Sequence, residues 1–194
     1  AVRELYPDKV LVIDHSLPSG LYCEIVEKAK NEDGRNKAYF VTDDEIDRIR
    51  EKMRDIVAKD LPFSKVKMFS EEAEALFIAN NQPQKAELQK SLGTFSCSVY
   101  YLDGNADTFH GPLIPSTGYL KVFDISGMGD GFCLQSPMMT DFNKVMPMKR
   151  QGKISAALKE YSDWCSIINI GSIGTLNKAV KDGKAVSIIN LAES

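Results

Sequence analysis

The feature that most constrains the fold is the stretch from residue 42 to residue 59. Thr42 followed three residues later by Glu45 forms a capping box, in which a hydroxyl and a carboxylate satisfy N–H groups that a helix start leaves unpaired. Ile46, Ile49, Met53, Ile56 and Val57 then recur at helical spacing on one face. A helix with a single apolar stripe must bury it, and the neighbouring runs supply a sheet to bury it against. Residues 9–13 and 21–26 read as strands paired across the turn His15-Ser16-Leu17-Pro18-Ser19-Gly20. Residues 95–102, 119–125 and 131–135 read as strands of an antiparallel sheet, with Gly127-Met128-Gly129-Asp130-Gly131 as a hairpin turn. Ser70 opens a shorter helix whose Glu71 and Glu72 meet the positive end of the backbone dipole. The expected fold class is α+β, an antiparallel sheet packed by helices.

The pattern changes after residue 137. Met138, Met139, Met146 and Met148 cluster there, and residues 140–168 read mostly as helix with Phe142, Leu158, Tyr161 and Trp164 as apolar anchors. A short helix at 175–181 and a closing strand at 185–191 complete the reading. The expected organisation is therefore a domain over residues 1–136 and a mainly helical extension over 137–194, within what 194 residues can accommodate.

Charge and composition exclude several functions. A net charge of −3 gives no general attraction for nucleic acid, so any RNA contact must come from a local patch. No apolar run reaches the ~18–20 residues that span a bilayer, and no leader pattern is present; the expectation is no membrane partner and a cytoplasmic location. Cys23, Cys97, Cys133 and Cys165 are widely spaced and read as reduced, buried thiols. A phosphate-cradling loop needs Gly-x-x-x-x-Gly-Lys-Ser/Thr. Gly152-Lys153 is followed by Ile154 and Gly183-Lys184 by Ala185, so neither qualifies.

The run Asp107-Thr108-Phe109-His110-Gly111-Pro112-Leu113-Ile114-Pro115 resembles the metal-binding turn of the threonyl-tRNA synthetase editing domain. Residues 1–7, 13–26, 42–59, Phe69 to Phe77 and Gln82-Pro83-Gln84-Lys85 follow the same family in order. The resemblance covers roughly residues 1–136 and implies a threonyl/alanyl-tRNA synthetase editing-domain-like fold. It places the family's zinc-binding Cys and His at Phe109 and Leu113, neither of which carries a lone pair for zinc. By the same resemblance Lys85 matches a lysine, carried on a loop, that faces aminoacyl-adenosine, and Asp107 matches a pocket acid. Both also admit plain readings, as a solvated lysine and a turn residue. His110, Gly111 and His15 are candidates to line that pocket, and Ser116-Thr117-Gly118 offers hydroxyls and backbone that can hold an anion or simply form a turn.

A second resemblance rests on Asp14-His15-Ser16-Leu17, Gly20-Leu21-Tyr22-Cys23 and residues 111–120, which are similar to the amino-terminal region of bacterial uridine kinase-related proteins. It implies a ligand-binding or regulatory module ahead of a nucleoside kinase (transferase) domain. ATP and Mg would then belong to that downstream domain, the partner within a longer chain, with no cofactor in the present residues. The ligand would be a nucleotide, an aminoacyl-adenosine-like molecule or RNA. The alternative is an aminoacyl-tRNA editing hydrolase working without zinc. In either case elemental analysis of purified protein is expected to find no stoichiometric zinc, and a full equivalent surviving mild dialysis would overturn that expectation.

Overall fold

The computed structural model describes residues 1–30, 36–80, 82–109, 111–149 and 152–193. They form two compact units, one of residues 1–61 and 116–160 and the other of residues 62–115 and 161–194.

The first unit begins with α1 (Val2–Leu5) and the hairpin β1 (Lys9–Leu17) and β2 (Gly20–Lys30). The ladder runs from Lys9 opposite Glu27 to Leu17 opposite Gly20. His15, Ser16 and Leu17 are thus strand residues, and the turn is only Pro18 and Ser19. Strand β3 (Asn36–Tyr39) also pairs with β2, and the hairpin β7 (Asp124–Met128) and β8 (Gly131–Gln135) completes an antiparallel sheet of order β1-β2-β8-β7.

Helix α2 (Asp43–Ala58) lies on this sheet. Its start is the expected capping box: the Thr42 hydroxyl accepts from the Glu45 N–H at 3.4 Å, and the Thr42 N–H donates to Glu45 Oε2 at 3.0 Å. Ile46 and Ile49 are buried in a cluster with Cys23, Ile25, Val41, Ile125 and Phe132, while Met53, Ile56 and Val57 are half-buried. Arg50 fastens the helix to β7, donating from Nε to Asp124 Oδ1 at 2.7 Å and from Nη2 to the Ile125 carbonyl at 2.5 Å.

Several expectations need correction. The strand foreseen at 119–125 begins only at Asp124 and is preceded by a 3-10 turn, Thr117–Tyr119. The reason is the end of α2. The Thr117 hydroxyl donates to the Ile56 carbonyl at 2.8 Å and accepts from the Leu61 N–H at 2.9 Å, while the Thr117 N–H donates to the Leu61 carbonyl. Backbone committed to closing a helix cannot join a ladder.

Residues 141–145 are likewise not helical. They form β10 (Asp141–Val145) in a hairpin with β9 (Pro137–Met138). The chain then returns to the first hairpin, where buried Ser19 donates to the Pro147 carbonyl at 3.0 Å and accepts from the Lys149 N–H at 3.1 Å. Phe142 and Tyr161 are exposed rather than anchoring. Helix α5 (Gly152–Ile167) follows.

The second unit holds a separate antiparallel sheet, β4 (Ser64–Phe69), β5 (Ser96–Leu102) and β6 (Asn105–Thr108), so the strands expected in one sheet divide between two. Helix α3 (Ser70–Ala79) and helix α4 (Pro83–Leu92) cover it around buried Ala73, Phe77, Ala86, Val99 and Ala106. Helix α6 (Ile173–Lys181) seats on α4 through Gly174, whose absent Cβ would come within 3.0 Å of the Leu88 nitrogen. The expected closing strand at 185–191 is instead α7 (Ala185–Ala192). An apolar run without a partner strand satisfies its own backbone as helix, as in the Ile188 N–H to Lys184 carbonyl bond of 3.1 Å. Among the described residues no helix is long and apolar enough to cross a membrane.

Two substitutions test this account of the first unit by denaturant unfolding. Ile49→Ala is expected to cost about 2–5 kcal/mol by opening a cavity at a fully buried position. Thr117→Val is expected to cost about 1–3 kcal/mol, since it strands a buried donor and acceptor at the helix end.

Candidate functional site

Lys85 and Asp107 meet. Pro83 starts α4 with a fixed φ and no N–H to satisfy, which places Lys85 in the first turn of a helix rather than on the expected loop. Asp107 stands on β6 directly opposite Tyr100 of β5. Lys85 Nζ forms an ion pair with Asp107 Oδ2, and Asp107 Oδ1 accepts from the Thr108 N–H at 2.7 Å. The two side chains are 32% and 33% exposed, so an arriving ligand can reach the charges while the surrounding protein holds their stems.

The following turn is tied to the same strand. Tyr100, a buried ring, donates its hydroxyl to the Gly111 carbonyl at 2.8 Å, and the Phe109 ring meets it edge-on with centroids 6.0 Å apart. Lys65 Nζ lies 5.5 Å from the centroid of the Tyr100 ring. Gly111 has φ of +115°, a conformation open to glycine and strained for any other residue. His110 lies outside the described residues. Sequence reasoning passed over Tyr100; the available signal was a tyrosine within a strand, whose hydroxyl needs a partner once its ring is buried.

These residues do not fit zinc. Phe109 turns a ring without donors against Tyr100, Leu113 is aliphatic, and no group of three or more His, Cys, Asp or Glu among the described residues is arranged to hold a metal. Cys97 is half-buried, with its thiol pushed up by burial, the character of a small hydrophobe rather than a thiolate ligand.

The other candidates belong to the first unit, and each is engaged there. His15 Nδ1 lies 2.9 Å from Asp14 Oδ2, its ring stacks on Tyr22 with centroids 4.9 Å apart, and Nε2 is buried. Thr117 closes α2. The anion held by the Ser116–Gly118 segment is the protein's own Asp60 carboxylate, bonded by the Ser116 hydroxyl and by the Gly118 N–H at 2.9 Å. Those bonds hold its carboxyl below the usual range, the Ser116 hydroxyl contributing most. A Cβ on Gly118 would sit 2.3 Å from Asp60 Oδ1, so a larger residue there would displace the carboxylate.

No family model matches the chain. The threonine–tRNA ligase of Rubrobacter xylanophilus is 30% identical over 155 residues, 78% of this chain and 22% of the ligase. That of Geobacter sp. strain M21 is 26% identical over 132 residues, 68% of the chain and 19% of the ligase. That of Burkholderia ambifaria is 31% identical over 126 residues, 64% of the chain and 18% of the ligase. The chain is similar to a region of threonine–tRNA ligases. It spans about a fifth of the length of these relatives, and its α+β architecture of antiparallel sheets packed by helices is consistent with a threonyl-tRNA synthetase editing-like domain.

An ion pair one-third exposed contributes about 0–1 kcal/mol to stability. Lys85→Ala and Asp107→Ala are therefore each expected to move the unfolding free energy by less than about 1 kcal/mol, as measured by denaturant unfolding. A loss of several kcal/mol would show that the pair serves the fold rather than a site.

Proposed function

We propose that this chain is a tRNA-related module of the editing type, which receives the aminoacyl-adenosine end of a charged tRNA at Lys85, Asp107 and the Gly111-Pro112 turn. The observation that carries the reading is the similarity to threonine–tRNA ligases over 64–78% of the chain; the meeting of Lys85 with Asp107 supports the location. Asp107 accepts a hydrogen bond from the ligand's amino group or a ribose hydroxyl. The Lys85 ammonium then faces the ester. When water adds to the ester carbonyl, the oxygen that becomes negative gains a fixed positive partner. The ester C–O bond breaks as the ribose oxygen leaves and takes a proton, giving free amino acid and tRNA. No step is assigned to zinc, whose usual Lewis-acid role this donor set cannot support.

The uridine kinase-related reading gains no support from the relatives named above, all of which are ligases. A downstream kinase domain, ATP and Mg therefore form no part of this proposal. A cytoplasmic location accords with it.

The test is deacylation of threonine-specific tRNA charged with serine or with threonine, in the presence of EDTA. Release above the uncatalysed rate is expected, with a loss of at least about tenfold for Lys85→Ala or Asp107→Ala, equivalent to one charge-assisted contact of about 1.5 kcal/mol. No release, together with no binding of a non-hydrolysable seryl-adenosine analogue, would overturn the proposal. Binding without release would reduce it to recognition.

A further inference from the structure

The first unit contains a second place equipped for a charged ligand. An open groove of about 900 Å³ runs beside the carboxyl-terminal half of α2 and the segment 118–123. Its walls include Arg54 and Val57 from the helix, and Tyr119, Lys121 and Phe123 from the segment. Arg54 and Lys121 are exposed, and among the described residues neither lies within ion-pair distance of a carboxylate. On the same helix Arg50 is engaged with Asp47 and Asp124, and Lys52 with Glu4. Tyr119 is 66% exposed, and Phe123 is half-buried.

We propose that this groove binds a nucleotide unit, with its phosphate on Arg54 and Lys121 and its base against Tyr119 and Phe123. The pairing of residue types selects the ligand. Two exposed cations suit a phosphate, and the exposed Tyr119 ring, with half-buried Phe123 in the same lining, offers a stacking platform that an acidic peptide would leave unused. The volume is within the range that small ligands occupy. Asp60 also lines the groove, its Oδ1 bonded to Ser116 and Gly118; its negative charge set against Arg54 and Lys121 leaves a net positive charge there. Those same bonds hold the segment that carries Tyr119. The Leu120 N–H to Thr117 carbonyl bond of 2.9 Å and the seating of Thr117 on α2 hold it further. A platform rigid before the ligand arrives loses little freedom on binding. In a chain of net charge −3, this patch supplies the local attraction that the overall balance does not.

The inference goes beyond the hydrolytic reading and does not rest on it. The nucleotide unit can belong to single-stranded RNA or to a free mononucleotide, and the experiment has an arm for each. A labelled single-stranded oligoribonucleotide is titrated with the full chain by fluorescence anisotropy over a series of salt concentrations; AMP and CMP are titrated by calorimetry. Tyr119→Ala is expected to weaken binding about tenfold, as loss of one stacked base does. The double variant Arg54→Gln with Lys121→Gln is expected to flatten the dependence of log K on log salt by about 0.7, the value for one phosphate neutralised on a single strand. Lys178→Gln, on α6 and outside both proposed sites, is expected to leave binding in both arms unchanged, and the deacylation rate of the Arg54, Lys121 double variant, expected to stay within about twofold, separates a failure here from a failure of the hydrolytic site. Dependence on these residues in the oligonucleotide arm identifies RNA, and the same dependence with AMP or CMP identifies a free nucleotide. No binding in either arm, or binding insensitive to all three positions, overturns the proposal.

Discussion

The burial of one face of α2 organises the first unit. Ile46 and Ile49 leave water against Cys23, Ile25, Val41, Ile125 and Phe132, and apolar burial of this kind is the main favourable contribution to folding. Everything nearby follows from where that helix stops. Thr117 satisfies the Ile56 carbonyl and the Leu61 N–H, Asp60 takes the bonds of Ser116 and Gly118, and the chain can then enter β7. Arg50 repeats the attachment from the side, reaching both the Asp124 carboxylate and the Ile125 carbonyl. With the inner face of α2 fixed, Arg54 and Val57 are left beside the groove.

In the second unit the turn after β6 is held by packing and a hydrogen bond. An aromatic ring stands where the resemblance puts a ligand, and that ring packs on Tyr100, whose hydroxyl holds the Gly111 carbonyl. Side-chain packing and a hydrogen bond thus constrain the turn without coordination. The nearby ion pair of Lys85 and Asp107 provides opposite charges in a partly shielded setting. Such a pair adds little to stability.

Much of the architecture was legible because local rules and tertiary structure agree. The Thr42 capping box, the Ile46 and Ile49 stripe and the Gly129 hairpin each obey a short-range pattern that the structure keeps. The errors arose where distant groups decided the outcome. Residues 119–123 have a strand-like sequence, yet Thr117 serves α2, and residues 141–145 have a helix-like sequence, yet they pair with Pro137 and Met138. Residues 185–191 are an apolar run too short for periodicity to distinguish helix from strand. No local pattern marks Tyr100, since its partner, the Gly111 carbonyl, is eleven residues away on another segment.

The sequence by itself determined residue chemistry and local preference: a capped amphipathic helix, turns built on glycine, and side chains without zinc donors at positions 109 and 113. Those properties depend on side-chain type and on neighbours a few residues away. Only the tertiary structure decided that the strands divide between two sheets, that Lys85 meets Asp107, and that the anion of the Ser116–Gly118 segment is Asp60. The last two join groups separated by 22 or more residues along the chain, and the sheets depend on pairings as distant as Gly20 with Gln135. Their energies exist only once the intervening chain has been brought together, so no local pattern carries them.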